Sequence, residues 1–314
     1  MRTMLEAAQY HYDAAPAICL GRRDQQEDSL AVDFPAGAGL GFIVLADGMG
    51  GHAAGDIASK IVVTEIFSEL KMHAGDPARF EQNIGSILRS AVSCANECVA
   101  SYASSRPEME GMGSTLVAPI IVNNRLYWIS VGDSPLYLFR GSRLFRLNEE
   151  HSVARQMDHL VMNGHIAQEV ADQHPDRDCL TSVLIGAAIP EIDCREVPIE
   201  LRDNDILIAA SDGLQFIGEE QIAQLVHEQR NRSSAEIGAR LLKGITDLDD
   251  PDQDNVSLCV LKVRERNKAI ADRDQGTEPD ITATTRPTRT TRMFVKVQGN
   301  TKFVMCGMSA GREQ

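Results

Sequence analysis

The sequence predicts an α+β fold in which sheets are covered by paired helices. Three observations carry this. Short apolar segments rich in β-branched residues recur between Pro16 and Val263. Most are bounded by Gly, Asn or Asp, as strands usually are. Helical stretches come in pairs between runs of strands, which is not the regular alternation of a βαβ protein.

In chain order, the strands are read at residues 17–20, 29–32, 40–46, 115–122, 126–131, 136–139, 206–210 and 256–263. Asn123-Asn124 and Gly141-Ser142 have the composition of hairpin turns between neighbouring strands. The first helix is read at 53–72, with Ile57, Ile61, Thr64 and Phe67 on one face, then Leu70. Its partner at 79–103 groups Ile84, Ile87, Leu88, Ala91 and Val92. Two further helices are read at 219–228 and 234–245, the last with Ser233 or Ser234 as N-cap. No internal repeat is present.

Composition sets limits. Of 314 residues, 43% are hydrophobic and 24% charged, which is ordinary for a soluble globular protein. No apolar run approaches the roughly 18 residues of a membrane span, and residues 1–16 lack the apolar core of a signal peptide. A cytoplasmic protein is expected. A net charge of −14 argues against a nucleic-acid binder. The seven cysteines are odd in number and irregularly spaced, so reduced thiols are expected. Cys94 and Cys98 are one helical turn apart, but no matching Cys or His pair accompanies them; they read as core cysteines.

Residues 1–264 read as one domain, 265–292 as a flexible Thr- and Arg-rich linker, and 293–314 as a tail with a possible β-hairpin around Gly299-Asn300. From residue 265 onward nine basic and six acidic residues give a net +3. Thr288, in Arg286-Pro287-Thr288-Arg289, sits in a context that basophilic kinases accept; an unmodified extension is the plainer reading.

Four acidic segments stand at strand ends. They are Arg23 to Asp28, Asp47-Gly48, Asp212-Gly213 and Asp252 to Asn255. One Asp-Gly pair is simply a good turn. Several carboxylates at the ends of adjacent strands can converge, and convergent acids repel unless a cation neutralises them. Oxygen-only ligands suit Mg2+ or Mn2+ rather than zinc. Two such ions can bind both the attacking and the departing oxygen of a phosphoryl displacement. Arg23 would then fork onto phosphate oxygens; taken alone, it reads as a surface salt bridge to Asp24 or Glu27.

With these residues in view, the chain resembles the metal-dependent protein phosphatases of the PPM, or type 2C, family in its bacterial form. The resemblance covers residues 18–262. Its motifs occur in order: Arg23 with Glu27-Asp28, Asp47 to His52, Gly113-Ser114-Thr115, Gly132-Asp133-Ser134, His151-Ser152, Gly164-His165-Ile166, His174-Pro175 with Arg177, Ser211 to Leu214, and Asp254-Asn255.

The resemblance implies a four-layer αββα fold: a central antiparallel β-sandwich flanked on both faces by paired helices. It implies hydrolysis of phosphoserine and phosphothreonine by metal-activated water at two Mn2+ or Mg2+ ions. Asp47 would bridge the ions. Asp212 and Asp254 would hold one of them; Glu27 and the Gly48 carbonyl the other, with Asp28 acting through water. Arg23 would bind the substrate phosphate. Residues 152–178 would form a flap beside the site. Phosphoproteins and a cognate Ser/Thr kinase are the implied partners.

Three departures stand against the family pattern. Pro135 replaces an Arg, Phe216 replaces an Asp that helps hold a third metal, and Met49 replaces a eukaryotic His. Asp133 is left as the candidate for a third ion, and His52 is not assigned the missing role. The competing reading is a catalytically silent relative that binds phosphoproteins or a kinase.

Overall fold

The computed structural model describes residues 10–50 and 53–265. Residues 1–9, Gly51, His52 and everything from residue 266 onward, including Thr288 and the expected hairpin, lie outside the described residues.

Strands β1 (Tyr10–Cys19), β2 (Ser29–Asp33), β3 (Leu40–Ala46) and the short β4 (Gly48–Met49) lead into helix α1 (Ala53–His73). Helices α2 (Pro77–Gln82) and α3 (Ile84–Ser104) follow, then β5 (Gly113–Ser114), β6 (Leu116–Val122), β7 (Arg125–Val131), β8 (Leu136–Arg140) and β9 (Arg143–Arg146). Helices α4 (Val153–Met162) and α5 (Gln168–Asp172) precede β10 (Asp193–Glu200) and β11 (Ile206–Ala210). The chain continues through α6 (Gly218–Gln229), α7 (Ser234–Thr246) and β12 (Val256–Glu265).

The strands form two five-stranded antiparallel sheets, ordered β10-β7-β6-β3-β2 and β1-β12-β11-β8-β9. Their central strands are buried on both faces, so they read as apolar runs rather than alternations. Period-2 geometry divides each run between two cores. In β3, Phe42, Val44 and Ala46 pack under α1 and α3, while Ile43 and Leu45 face the other sheet. In β11, Ile208 and Ala210 pack under α6 and α7, while Leu207 and Ala209 face inward. Three apolar cores therefore separate four layers, and the fold is the expected αββα sandwich.

Both turn dipeptides take the left-handed conformation at each residue: Asn123 at φ 46°, Asn124 at 69°, Gly141 at 56° and Ser142 at 65°. That matches the right-handed twist of hairpin strands. Ser233 is the N-cap of α7 and completes a capping box with Glu236.

Four local expectations need correction. The helix read at 79–103 is two, broken at Asn83, whose side-chain amide donates to the Arg79 carbonyl and competes with the helix. On α1 the fully buried row is Ala58, Val62, Ile66 and Leu70; Thr64 is exposed, and Ile57 and Ile61 lie at the edge. Small residues let the helix approach the sheet, a signal that side-chain size hides. Strand β1 begins seven residues earlier than read, pairing with β12 from Tyr10. It tolerates Pro16 because it is an edge strand. Strand β10 escapes the sequence altogether: it is an edge strand with an irregularity between Arg195 and Ile199.

Cys94 is exposed and Cys98 half-buried against Glu65, so neither is a core cysteine. Among the described residues all cysteines are free, and no helix is long and apolar enough to cross a membrane.

Candidate metal centre

Sheet register brings the acids together. Ser29 pairs with Ala46, so Asp28 and Asp47 leave neighbouring strands side by side. Ala210 pairs with Leu258, which sets Asp212 and Asp254 at the same end of the other sheet. Leu116 pairs with Val131, placing the loop of Gly132 and Asp133 opposite Thr115. The two sheet ends are then stitched across the sandwich. Ser211 Oγ donates to Asp28 Oδ2 at 2.8 Å, and Ser257 N donates to Ser211 Oγ at 3.0 Å.

The backbone around the acids is closely packed. Thr115 Oγ1 accepts from Asp47 N at 3.0 Å and bonds Ser134 Oγ at 2.8 Å, joining two loops that carry acids. Ser114 Oγ donates to the Asp47 carbonyl at 3.0 Å. Asn255 Oδ1 accepts from Glu27 N at 2.7 Å, while its amide donates to Leu20 O. Gly48 N donates to the Glu27 carbonyl at 3.2 Å. Two glycines are required by space. A Cβ on Gly48 would lie 2.0 Å from the Gly55 carbonyl, and one on Gly21 2.1 Å from the Asp254 carbonyl. Gly50, at φ 128°, passes against Met112 and Gly111 on the way to α1.

The electrostatics follow from this crowding. Asp28 is buried, and Asp47, Asp133, Asp212 and Asp254 are half-buried. Loss of water pushes the Asp28 carboxyl up to about 7, with Asp212 and Asp254 adding repulsion against the hydrogen bonds from Ser211 and Ser257. Burial and the charge of Asp212 raise Asp133 to about 7. Burial, then Asp28, Asp212 and Asp133, holds Asp47 well above the usual carboxylate range. Asp212 is raised by burial and by Asp254, and its enclosed Oδ1 has no hydrogen-bond partner.

Among the described residues, Arg23 meets this charge in an ion pair, its Nη2 donating to Asp254 Oδ2 at 2.6 Å. Arg23 therefore pairs with Asp254, not with Asp24 or Glu27 as a surface reading would have it. Its side chain stays largely exposed, at the edge of the acids.

An all-oxygen set whose proton affinity is raised by burial and then by mutual repulsion, with an enclosed carboxylate oxygen unsatisfied, fits hard divalent cations. Among the described residues no three His, Cys, Asp or Glu side chains stand ready as a closed cage. An ion held by Asp254 would share that carboxylate with Arg23.

Of the acids singled out in the sequence, Asp28, Asp47, Asp133, Asp212 and Asp254 act on one another here, and Glu27 lies beside Gly48 and Gly55. His52 lies outside the described residues. Pro135 is buried, its carbonyl accepting from Ala210 N at 3.1 Å, and Phe216 is 39% exposed. The supporting roles of Thr115 and Asn255 went unread, although both sit within quoted motifs. Arg146, Asn148 and Glu150 carry no motif: Arg146 and Asn148 bond the 133–136 loop, and Arg146 also reaches Gln215, contacts that no local pattern announces.

Comparisons with known proteins bear on the family and the fold. The family model for Protein phosphatase 2C matches residues 19–246. The serine/threonine phosphatase stp of Listeria welshimeri is 32% identical over 192 residues, 61% of this chain and 73% of that protein. The crystal structure of the Mycobacterium tuberculosis serine/threonine phosphatase PstP/Ppp aligns with a TM-score of 0.65 at 29% identity, covering 82% of this chain and 99% of that one. The catalytic domain of PstP in complex with two manganese ions aligns at TM-score 0.62 and 29% identity, over 81% of this chain and 98% of that one. Ordered motifs, a four-layer sandwich and acids gathered at one sheet end thus accompany a match across most of the described chain, which belongs to the protein phosphatase 2C family of metal-dependent serine/threonine phosphatases.

Proposed function

We propose that this chain removes phosphate from phosphoserine and phosphothreonine in proteins, using two Mn2+ or Mg2+ ions held by the acids described above. The observation that carries the reading is the convergence of Asp28, Asp47, Asp133, Asp212 and Asp254 from both sheets, each of the first four with raised proton affinity. Asp47 would bridge the ions, Asp212 and Asp254 would hold one, and Glu27 with the Gly48 carbonyl the other. Asp28, tied to Ser211, would orient water. Bound there, the ions would supply an acidified water as nucleophile and neutralise phosphate oxygens.

Arg23 is the residue for the substrate phosphate. Its guanidinium uses Nη2 on Asp254 and leaves further donors toward solvent. Asp133 is the candidate for a third ion. Phe216 offers it no second carboxylate, so a third ion would be held more weakly than the first two. A Ser/Thr kinase is the implied upstream partner and the cytoplasm the implied compartment.

The test is hydrolysis of a phosphothreonine peptide with Mn2+, with Mg2+ and with excess EDTA, beside Asp47→Asn. Metal-dependent turnover that disappears in the variant supports the reading. Folded protein that is inactive with either metal favours the silent, phosphoprotein-binding alternative.

A further inference from the structure

Residues 146–152 run from the end of β9 to the N-cap of α4, and they grip the Asp133 loop along its length. Asn148 Oδ1 accepts from Leu136 N at 2.7 Å, and its amide donates to Ser134 O at 3.0 Å. His151 Nδ1 accepts from Gly132 N at 3.1 Å, and His151 N donates to Gly132 O at 3.0 Å. The arginine of this strap is Arg146. Its Nη2 donates to the Asp133 carbonyl at 2.7 Å. Its Nη1 donates to Glu150 Oε2 at 2.6 Å and reaches Gln215 Oε1 at 3.4 Å, on the turn that follows Asp212.

The contact continues into the flap. Glu150 Oε1 accepts from Ser152 Oγ at 2.5 Å, and Ser152 Oγ accepts from Arg155 N at 3.1 Å, capping α4. One guanidinium thus touches the Asp133 loop and the Asp212 turn and, through one carboxylate, the first turn of the flap helix. The two η nitrogens of one planar guanidinium cover these directions, while its Nε is enclosed without a partner.

We propose that Arg146 is a positioning residue that couples the α4 flap to the metal centre through Glu150 and Ser152. It touches neither phosphate nor ion. Its effect is that ordering of the Asp133 loop and the Asp212 turn by metal is passed to the flap against which a phosphopeptide lies. This rests on the phosphatase reading above.

The test is hydrogen exchange of full-length protein with and without Mn2+. In wild type, Mn2+ slows exchange of the α4 amides. In Arg146→Met that slowing disappears, while amides of β3 and β11 exchange as in wild type. Glu150→Gln, which keeps Arg146 but weakens its partner, reduces the slowing in the same direction and decides the matter if Arg146→Met does not fold. In steady state, Arg146→Met raises KM for a phosphothreonine peptide about tenfold, within the usual range of coupling energies, and leaves KM for p-nitrophenyl phosphate within about twofold. Arg146→Lys, which restores charge without the fork, recovers only part of the peptide KM.

Mn2+ that slows α4 equally in wild type and in both variants overturns the inference, as does an equal loss on both substrates. Wild type in which Mn2+ binds by calorimetry but leaves α4 unchanged overturns it too. Absence of Mn2+ binding altogether removes the metal-centre reading instead.

Discussion

Asp205 and Asp212 flank the same five-residue strand, β11, and do opposite things. At its start Asp205 is 2% exposed and fully partnered: Arg140 Nε and Nη2 bond its two oxygens at 2.9 and 2.6 Å, and Arg202 N adds a third bond at 2.7 Å. Past the other end, Asp212 meets Asp47, Asp133 and Asp254, and its enclosed Oδ1 has no partner. A carboxylate buried with its guanidinium leaves both charges satisfied, and it is removal of one partner that costs stability. One buried among its own kind destabilises the fold unless a cation arrives. The difference separates structure from chemistry at the two ends of one sandwich.

The largest effect is expected from Asp47→Asn. Turnover of a phosphothreonine peptide should fall on the order of a thousandfold, about 4 kcal/mol of barrier. In EDTA the same variant should melt no lower than wild type, because a repelled charge is gone. Wild-type kcat in Asp47→Asn would remove the binuclear assignment.

Asp205→Ala should do the reverse. Leaving Arg140 without its partner should cost about 3 kcal/mol of stability in urea, with kcat retained once folded. A large kcat loss at unchanged stability would erase the distinction drawn between the strand's two ends.

The acidic end also predicts a pH signature. Asp28 and Asp133 titrate near 7 when folded and about 4 when unfolded. Raised carboxylates contribute stability fully below the unfolded value and lose it as pH climbs through the folded one. Metal-free protein should therefore lose stability between about pH 4 and 7 from these groups. The rise in Tm on adding Mn2+ should accordingly be larger at pH 8 than at pH 5.5, since ions require the deprotonated ligands. A Tm gain independent of pH would argue that these acids are not the ligands. The smallest effect expected is from Arg23→Ala: KM for phosphopeptide should rise about tenfold through lost charge-assisted bonds, with kcat changed less. An unchanged KM would take Arg23 out of the phosphate site.

Much of this architecture was legible in the sequence. Central strands announce themselves because burial on both faces demands apolar runs. The Asn123-Asn124 turn and the Ser233 cap depend on chemistry within a few residues. The acids of the site were legible as a set, since each closes or opens a strand. The burial face of α1 is hard to read because Ala58 carries little hydrophobic weight yet is fully buried in the core under the sheet.

Neighbouring residues alone dictate which segments extend, turn and coil, and which strand ends carry acids. Those outcomes follow from local periodicity and turn chemistry. Only the tertiary structure decided the partners: Arg23 with Asp254 across 231 residues, Asp28 with Ser211 across 183, and Arg146 with Gln215 across 69. Such pairs form because two sheets stack and their ends coincide. Charge, burial and proton affinity depend on that coincidence, and no window of neighbouring residues contains it.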